Sequence, residues 1–175
     1  EELCMIAVRS DPEAIKHIAK DRLTESVLLT AVQTSPDVIT HIENPSEKIC
    51  IEVVSRIPGL LKEIKHQTPL VCQAAVDKAP LAICFVNDQT DDICLSSVQR
   101  DPSVIKHINK PTPELICFAI QKDPTLMNEI DTKNLNLQLC LSCAYLNPES
   151  IDHINDINLR FDCTIEFTQM ITIVQ

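Results

Sequence analysis

Four of the five histidines in this 175-residue chain, His17, His41, His107 and His153, stand five residues after a proline. Imidazole changes charge between about pH 5 and 8, so a file of histidines could form a titrating, ligand-facing stripe. Phe85 holds the same position in another proline-led segment, and Glu63 and Glu129 hold it in two more. The plainer reading is positional: a histidine near the end of a short helix is favoured by the helix dipole and caps last-turn carbonyls. A second file, Arg56, Lys78, Arg100 and Lys122, precedes its prolines by two residues. It could offer a basic stripe to an acidic partner, or it could complement a helix C-terminus. A metal shared along the histidine file is disfavoured by reach, because stacked helices lie ~8–10 Å apart while zinc ligands sit ~2 Å from the ion.

Other reactive residue types reduce to pattern. Cys140-x-x-Cys143 has the spacing of a redox or zinc pair, but neither a βαβ context nor a second ligand pair accompanies it. The aspartates of the Asp-Pro steps at Asp11, Asp101 and Asp123 sit where helix caps belong, too far apart to act as paired catalytic acids. No serine–histidine–aspartate or cysteine–histidine set rises above the regular pattern, so no enzyme activity is expected. One glycine, Gly59, leaves no room for a phosphate cradle or a dinucleotide fingerprint. A net charge of −10 argues against a nucleic-acid partner, and one Tyr, four Phe and no Trp leave little for base stacking. No apolar stretch approaches the ~20 residues of a membrane-spanning helix.

What positions these residues is a repeat. Pro12, Pro36, Pro58, Pro80, Pro102, Pro124 and Pro148 are separated by 24, 22, 22, 22, 22 and 24 residues. Four residues before each stands Val8, Val32, Val54, Val76, Val98, Ile120 or Ala144; three after stands Ile15, Ile39, Leu61, Ile83, Ile105, Met127 or Ile151. Six after comes Ile18, Ile42, Ile64, Val86, Ile108, Ile130 or Ile154. Twelve before the proline stand Thr24, Ser46, Thr68, Thr90, Thr112 and Asn136, all good N-caps, and the first five are followed by an acid or proline suited to a first turn. Apolar slots at −9, −8, −5 and −4, such as Ile93, Cys94, Ser97 and Val98, then form one helical face. A second cap directly before the proline (Asp11, Ser35, Asp101, Asp123, Asn147) opens a second, shorter helix. Helices below ~12–15 residues are marginal alone in water, so each copy must bury its apolar face against its neighbours. The −5 slot holds small residues (Ala7, Ala31, Val53, Ala75, Ser97, Ala119, Cys143), which predicts close helix approach.

The unit Thr-x-x-(Leu/Ile)-Cys-x-x-(Ala)-Val-x-x-Asp-Pro-x-x-Ile-x-His-Ile resembles two groups of short helical repeats. One is the leucine-rich variant repeat, whose similarly short units alternate two short helices in a right-handed superhelix. The other is the Ala-Val-x-x-x-Pro repeat found in proteins of giant DNA viruses and some protists. The resemblance spans Leu3 to Ile154, and it implies architecture rather than activity. Little Gly with much Ile, Asn, Lys and Asp suits an AT-rich genome and favours the viral group. No N-terminal cysteine cluster of the iron–sulfur kind is present, so no cofactor is implied.

The expected fold is therefore all-α: a right-handed α-solenoid of about seven two-helix repeats over residues 1–155, closed by a C-terminal capping segment over 156–175. In that tail Cys163, Phe167, Met170 and Val174 keep helical spacing, although Ile165, Phe167 and Ile171 to Ile173 would also suit a strand. Nine cysteines, most of them on core slots, with no hydrophobic leader and a sequon blocked at Asn44-Pro45-Ser46, favour a reducing, intracellular setting. For a viral chain that setting would be the host cytoplasm. The expected function is a non-enzymatic scaffold binding a protein or extended peptide. His17, His41, Phe85, His107 and His153, or the basic file, would form its contact surface. The exposed +1 file (Glu13, Asp37, Gly59, Leu81, Ser103, Thr125, Glu149) would tune specificity. The alternative is an assembly element that self-associates through its array ends.

Overall fold

Each aligned proline has the same local consequence. The residue before a proline is barred from helical geometry, and here that residue is extended, with φ from −130 to −149° and ψ from 87 to 112°. Its N–H still closes the last helical turn, as in Asp11 N–H to the Ala7 carbonyl at 2.8 Å and Ala79 N–H to Ala75 at 2.9 Å. A short α-helix thus ends two residues before every aligned proline. The computed structural model describes the backbone of residues 1–174 and, apart from Thr132 and Val174, their side chains. Among these the protein is all-α, with no strand.

The chain divides into two compact units, Glu1–Asp88 and Gln89–Gln175. The first holds α1 (Glu2–Ser10), α2 (Glu25–Thr34), α3 (Glu47–Arg56) and α4 (Pro69–Lys78), which pack in sequence, α1 on α2, α2 on α3 and α3 on α4. The second holds α5 (Asp91–Arg100), α6 (Pro113–Lys122), α7 (Leu137–Leu146) and α8 (Ile157–Val174), again each on the next. The N-cap hydroxyls of Thr24, Ser46, Thr68 and Thr112 accept the N–H three residues on at 3.3–3.4 Å, and Asn136 does so at 2.9 Å.

The second, shorter helix of each copy is a six-residue 3₁₀ helix, for example Pro58–Glu63 and Pro102–His107. The reason lies in hydrogen-bond closure. Six residues opened by a proline could complete few i→i+4 bonds, whereas i→i+3 bonds close sooner, as from Leu60 N–H to Ile57 at 3.0 Å and Ile64 N–H to Leu61 at 3.1 Å. The +6 residue leaves the segment extended, with φ from −75 to −96° and ψ from 110 to 131°. That turn carries Ile64, Val86, Ile108, Ile130 and Ile154 into the core. Where the proline spacing widens to 24, the two extra residues help form an added 3₁₀ turn, Lys20–Arg22 in one unit and Thr132–Asn134 in the other.

The core is the sum of the repeated slots. Val8, Val32, Val54, Val76, Val98, Ile120 and Ala144 at −4 are all 0% exposed, as are Ala31, Val53, Ala75, Ser97, Ala119 and Cys143 at −5. Such small side chains permit the close contact of neighbouring helices that a dense interior demands. One slot departs from type: Ser150 stands at +2 where other copies have Val38, Leu60 or Leu126, and its buried hydroxyl has no hydrogen-bond partner. In α8, Cys163 is fully buried and Phe167 half-buried, and the tail is helical to Val174, not a strand. Ile171 and Ile173 remain 45% and 84% exposed, while the Val174 side chain lies outside the described residues.

Copies are also stitched by polar contacts. In the first unit each N-cap hydroxyl donates to a glutamate at the start of the helix before it: Thr24 to the N-cap Glu1 at 2.9 Å, Ser46 to the first-turn Glu25 at 2.8 Å, Thr68 to the first-turn Glu47 at 2.5 Å. The sequence pattern of acid beside cap was visible, but its role as a rung between copies was not.

Candidate interaction surface

Within the first unit the 3₁₀ segments Pro12–His17, Pro36–His41, Pro58–Glu63 and Pro80–Phe85 pack one on the next. His17, His41, Glu63 and Phe85 accordingly form a file outside the core. The second unit does the same with His107, Glu129 and His153 at the ends of Pro102–His107, Pro124–Glu129 and Pro148–His153. The file is engaged with its own neighbours. His41 Nε2 lies 3.4 Å from the carboxylate of Glu13, the +1 residue of the preceding copy. The Phe85 ring lies 4.0 Å from where a Cβ on Gly59 would stand, again a +5 residue against the preceding +1. His153 Nδ1 faces the Asn128 amide at 3.4 Å, and Lys106 pairs with Glu129 at 3.4 Å. In the first unit the +5 and +1 files thus form one mixed ridge, in which the Phe85 ring lies at van der Waals distance from the sole glycine. Glu13 is also paired with Lys16, whose hydrogen bond chiefly holds its carboxyl below the ordinary range, with His41 adding to the effect.

The basic file serves helix ends in at least one copy. Arg56 Nη1 donates to the Val32 carbonyl at 3.0 Å and also to Gln33, the last-turn carbonyls of the preceding helix α2. It therefore joins two copies and complements the negative end of a dipole. Lys122 lies over its own helix neighbour Phe118, 5.8 Å from the ring centroid. Lys78 and Arg100 occupy the last turns of α4 and α5, exposed.

The chemically reactive types are held in structural work. Asp11, Asp101 and Asp123 accept the N–H two residues on, each at 3.0 Å, and Asp101 and Asp123 also take the Ser103 and Thr125 hydroxyls at 2.7 and 2.6 Å. Cys117 and Cys143 have sulfurs 3.3 Å apart, with Cys140 and Cys163 near enough to influence one another's titration. Burial pushes the Cys94 thiol up to about 11 and the Cys140 thiol up to about 12, and Cys143 is raised as well. Thiols so raised stay protonated, which makes them inert small hydrophobes at neutral pH. Among the described residues no group of three or more His, Cys, Asp or Glu is arranged to hold a metal.

Compared with known protein families, with curated proteins and with solved structures, the chain matches none.

Proposed function

We propose that the protein is a non-enzymatic interaction scaffold whose ridge of +5 and +1 side chains contacts a protein face or an extended peptide. One observation carries this: the slots facing inward repeat one apolar chemistry, while the ridge facing outward mixes imidazole, carboxylate, aromatic ring and a bare glycine. A surface that varies while its support stays constant is the way helical repeat arrays achieve selectivity. No helix among the described residues is long and apolar enough to cross a membrane, which accords with a partner met in water. Nine unpaired cysteines favour a reducing compartment.

Selection of peptides from a displayed random library against the whole chain tests the reading. Replacing His41 and Phe85 together by Ala is expected to weaken selected binders at least about tenfold, a loss near 1.4 kcal/mol, while Lys78→Ala leaves them unchanged. The reverse result would move the contact surface to the basic file. No selectable binder at all would overturn the scaffold reading.

A second reading, self-association, has its own support in bare apolar faces on α1 and α8. Leu3 and Ile6 are 81% and 60% exposed, and Phe161 and Ile173 are 64% and 84% exposed. Sedimentation across a concentration series distinguishes the two: growth in size that Leu3→Glu or Ile173→Glu abolishes favours assembly, and a constant monomer favours binding.

A further inference from the structure

A glutamine closes the space between successive copies in one place of each unit. Gln67 Nε2 donates to the Leu61 carbonyl at 3.0 Å and the Phe85 carbonyl at 2.8 Å, while its Oε1 accepts the Asn87 N–H at 2.9 Å. In the second unit Gln89 Nε2 donates to the His107 carbonyl at 3.1 Å and Oε1 accepts the Asn109 N–H at 2.8 Å. A primary carboxamide is the side-chain group that offers both donors and an acceptor to backbone in this way.

One period before Gln67 the corresponding residue is Pro45, which has no polar side chain. The backbone around it keeps the same form: the chain leaves Pro58–Glu63 at Ile64 with φ −86° and ψ 110°, against −78° and 121° at Val86. The Ile39 and Glu63 carbonyls and the Lys65 N–H therefore correspond to the Leu61 and Phe85 carbonyls and the Asn87 N–H that Gln67 binds. Among the described residues the Glu63 carbonyl and the Lys65 N–H have no hydrogen-bond partner. The place a glutamine would fill is a cleft of about 290 Å³ whose walls include Ile39, His41, Pro45, Glu63 and Lys65. The neighbouring gap one period earlier differs, because the apolar Leu23 takes the glutamine position and Lys20 clamps the Glu43 carboxylate at 2.7 and 2.9 Å.

We propose that the cleft at Pro45 binds a primary carboxamide, namely the glutamine side chain of an extended peptide. That side chain donates to the Glu63 and Ile39 carbonyls and accepts the Lys65 N–H, as Gln67 does with its counterparts from within the chain. His41 and Glu63 belong both to this cleft and to the ridge, so a peptide lying along the ridge can place a side chain here. The inference rests on the scaffold reading for the peptide nature of the partner.

The test is an amide-resolved NMR titration of the intact chain with acetyl-Ala-Gln-Ala-methylamide. The Lys65 amide proton should move downfield saturably, while those of Asn87 and Asn109, already bonded, hold still. Matched peptides with glutamate or methionine at the centre should leave Lys65 in place, and acetamide at equal concentration should move it far less. Pro45→Gln should bring the Lys65 resonance to its bound position without peptide and abolish the response. Gln67→Ala should make Asn87 responsive, which provides a second readout if the Pro45 variant does not fold. A stationary Lys65, or equal movement with the glutamate peptide, the methionine peptide or acetamide, would overturn the proposal. Library-selected peptides that bind without moving Lys65 would overturn the cleft alone, whereas failure to select any peptide would overturn the scaffold reading beneath it.

Discussion

The two units use the same apolar slots but secure them differently. In Glu1–Asp88 the copies are tied at their surface by hydroxyl–carboxylate rungs from Thr24, Ser46 and Thr68, by Arg56 on the end of α2, by His41 beside Glu13 and by Lys20 on Glu43. In Gln89–Gln175 each proline-led 3₁₀ segment carries a side-chain cap, at Asp101, Asp123 and Asn147, where the first unit has one at Asp11, and four cysteines gather where α6, α7 and α8 meet. Apolar burial is common to both because it provides most of the driving force. The polar seams vary because each contributes little, so many solutions serve.

This contrast can be broken or sharpened experimentally. The largest effect should be the shared one: Leu61→Ala and Met127→Ala, both at +3 and at 0% and 1% exposure, should each cost about 2–5 kcal/mol in urea unfolding. A loss below about 1 kcal/mol in either unit would show that the slot is not equivalent in the two.

Next comes alkaline sensitivity. A thiol whose folded pKa is raised above the ordinary 9.0 leaves stability intact below that value and erodes it as pH climbs toward the folded one. With Cys94 at about 11 and Cys140 at about 12, the urea midpoint of unfolding should fall more steeply between pH 9.0 and about 12 than it does below pH 9.0. Cys94→Ala with Cys140→Ala should blunt that fall, and an identical fall in the double variant would contradict it.

The smallest effect lies at the acid end and in the first unit. Lys16 holds Glu13, and Lys20 holds Glu43, below the ordinary 4.5. A depressed carboxyl contributes above its unfolded value and ceases to do so as pH falls through the folded one. Carbon-detected titration should therefore place the Glu13 midpoint below 4.5, and Lys16→Met should return it toward that value. An ordinary midpoint in the unaltered chain would show that Lys16 does not hold this carboxylate.

Much of the fold was legible from residue order. The proline period, the N-caps at Thr24, Ser46, Thr68, Thr112 and Asn136, and the inward slots all depend on contacts within a few residues or on a periodic apolar face. The 3₁₀ character of the second element was not legible, because apolar spacing in six residues does not distinguish i→i+3 from i→i+4 closure. Nor were the partners of the ridge. His41 with Glu13 and Phe85 with Gly59 are separated by more than a full period, and no local rule connects them.

Local chemistry by itself determined that this chain makes short helices ended by prolines and that they must pack as copies, since both follow from steric exclusion at proline and from burying one face. Tertiary structure alone decided which polar groups meet across copies and where a gap is left open. A glutamine at 67 and a proline at 45 read as interchangeable loop residues until the carbonyls and N–H groups of the next copy are brought beside them.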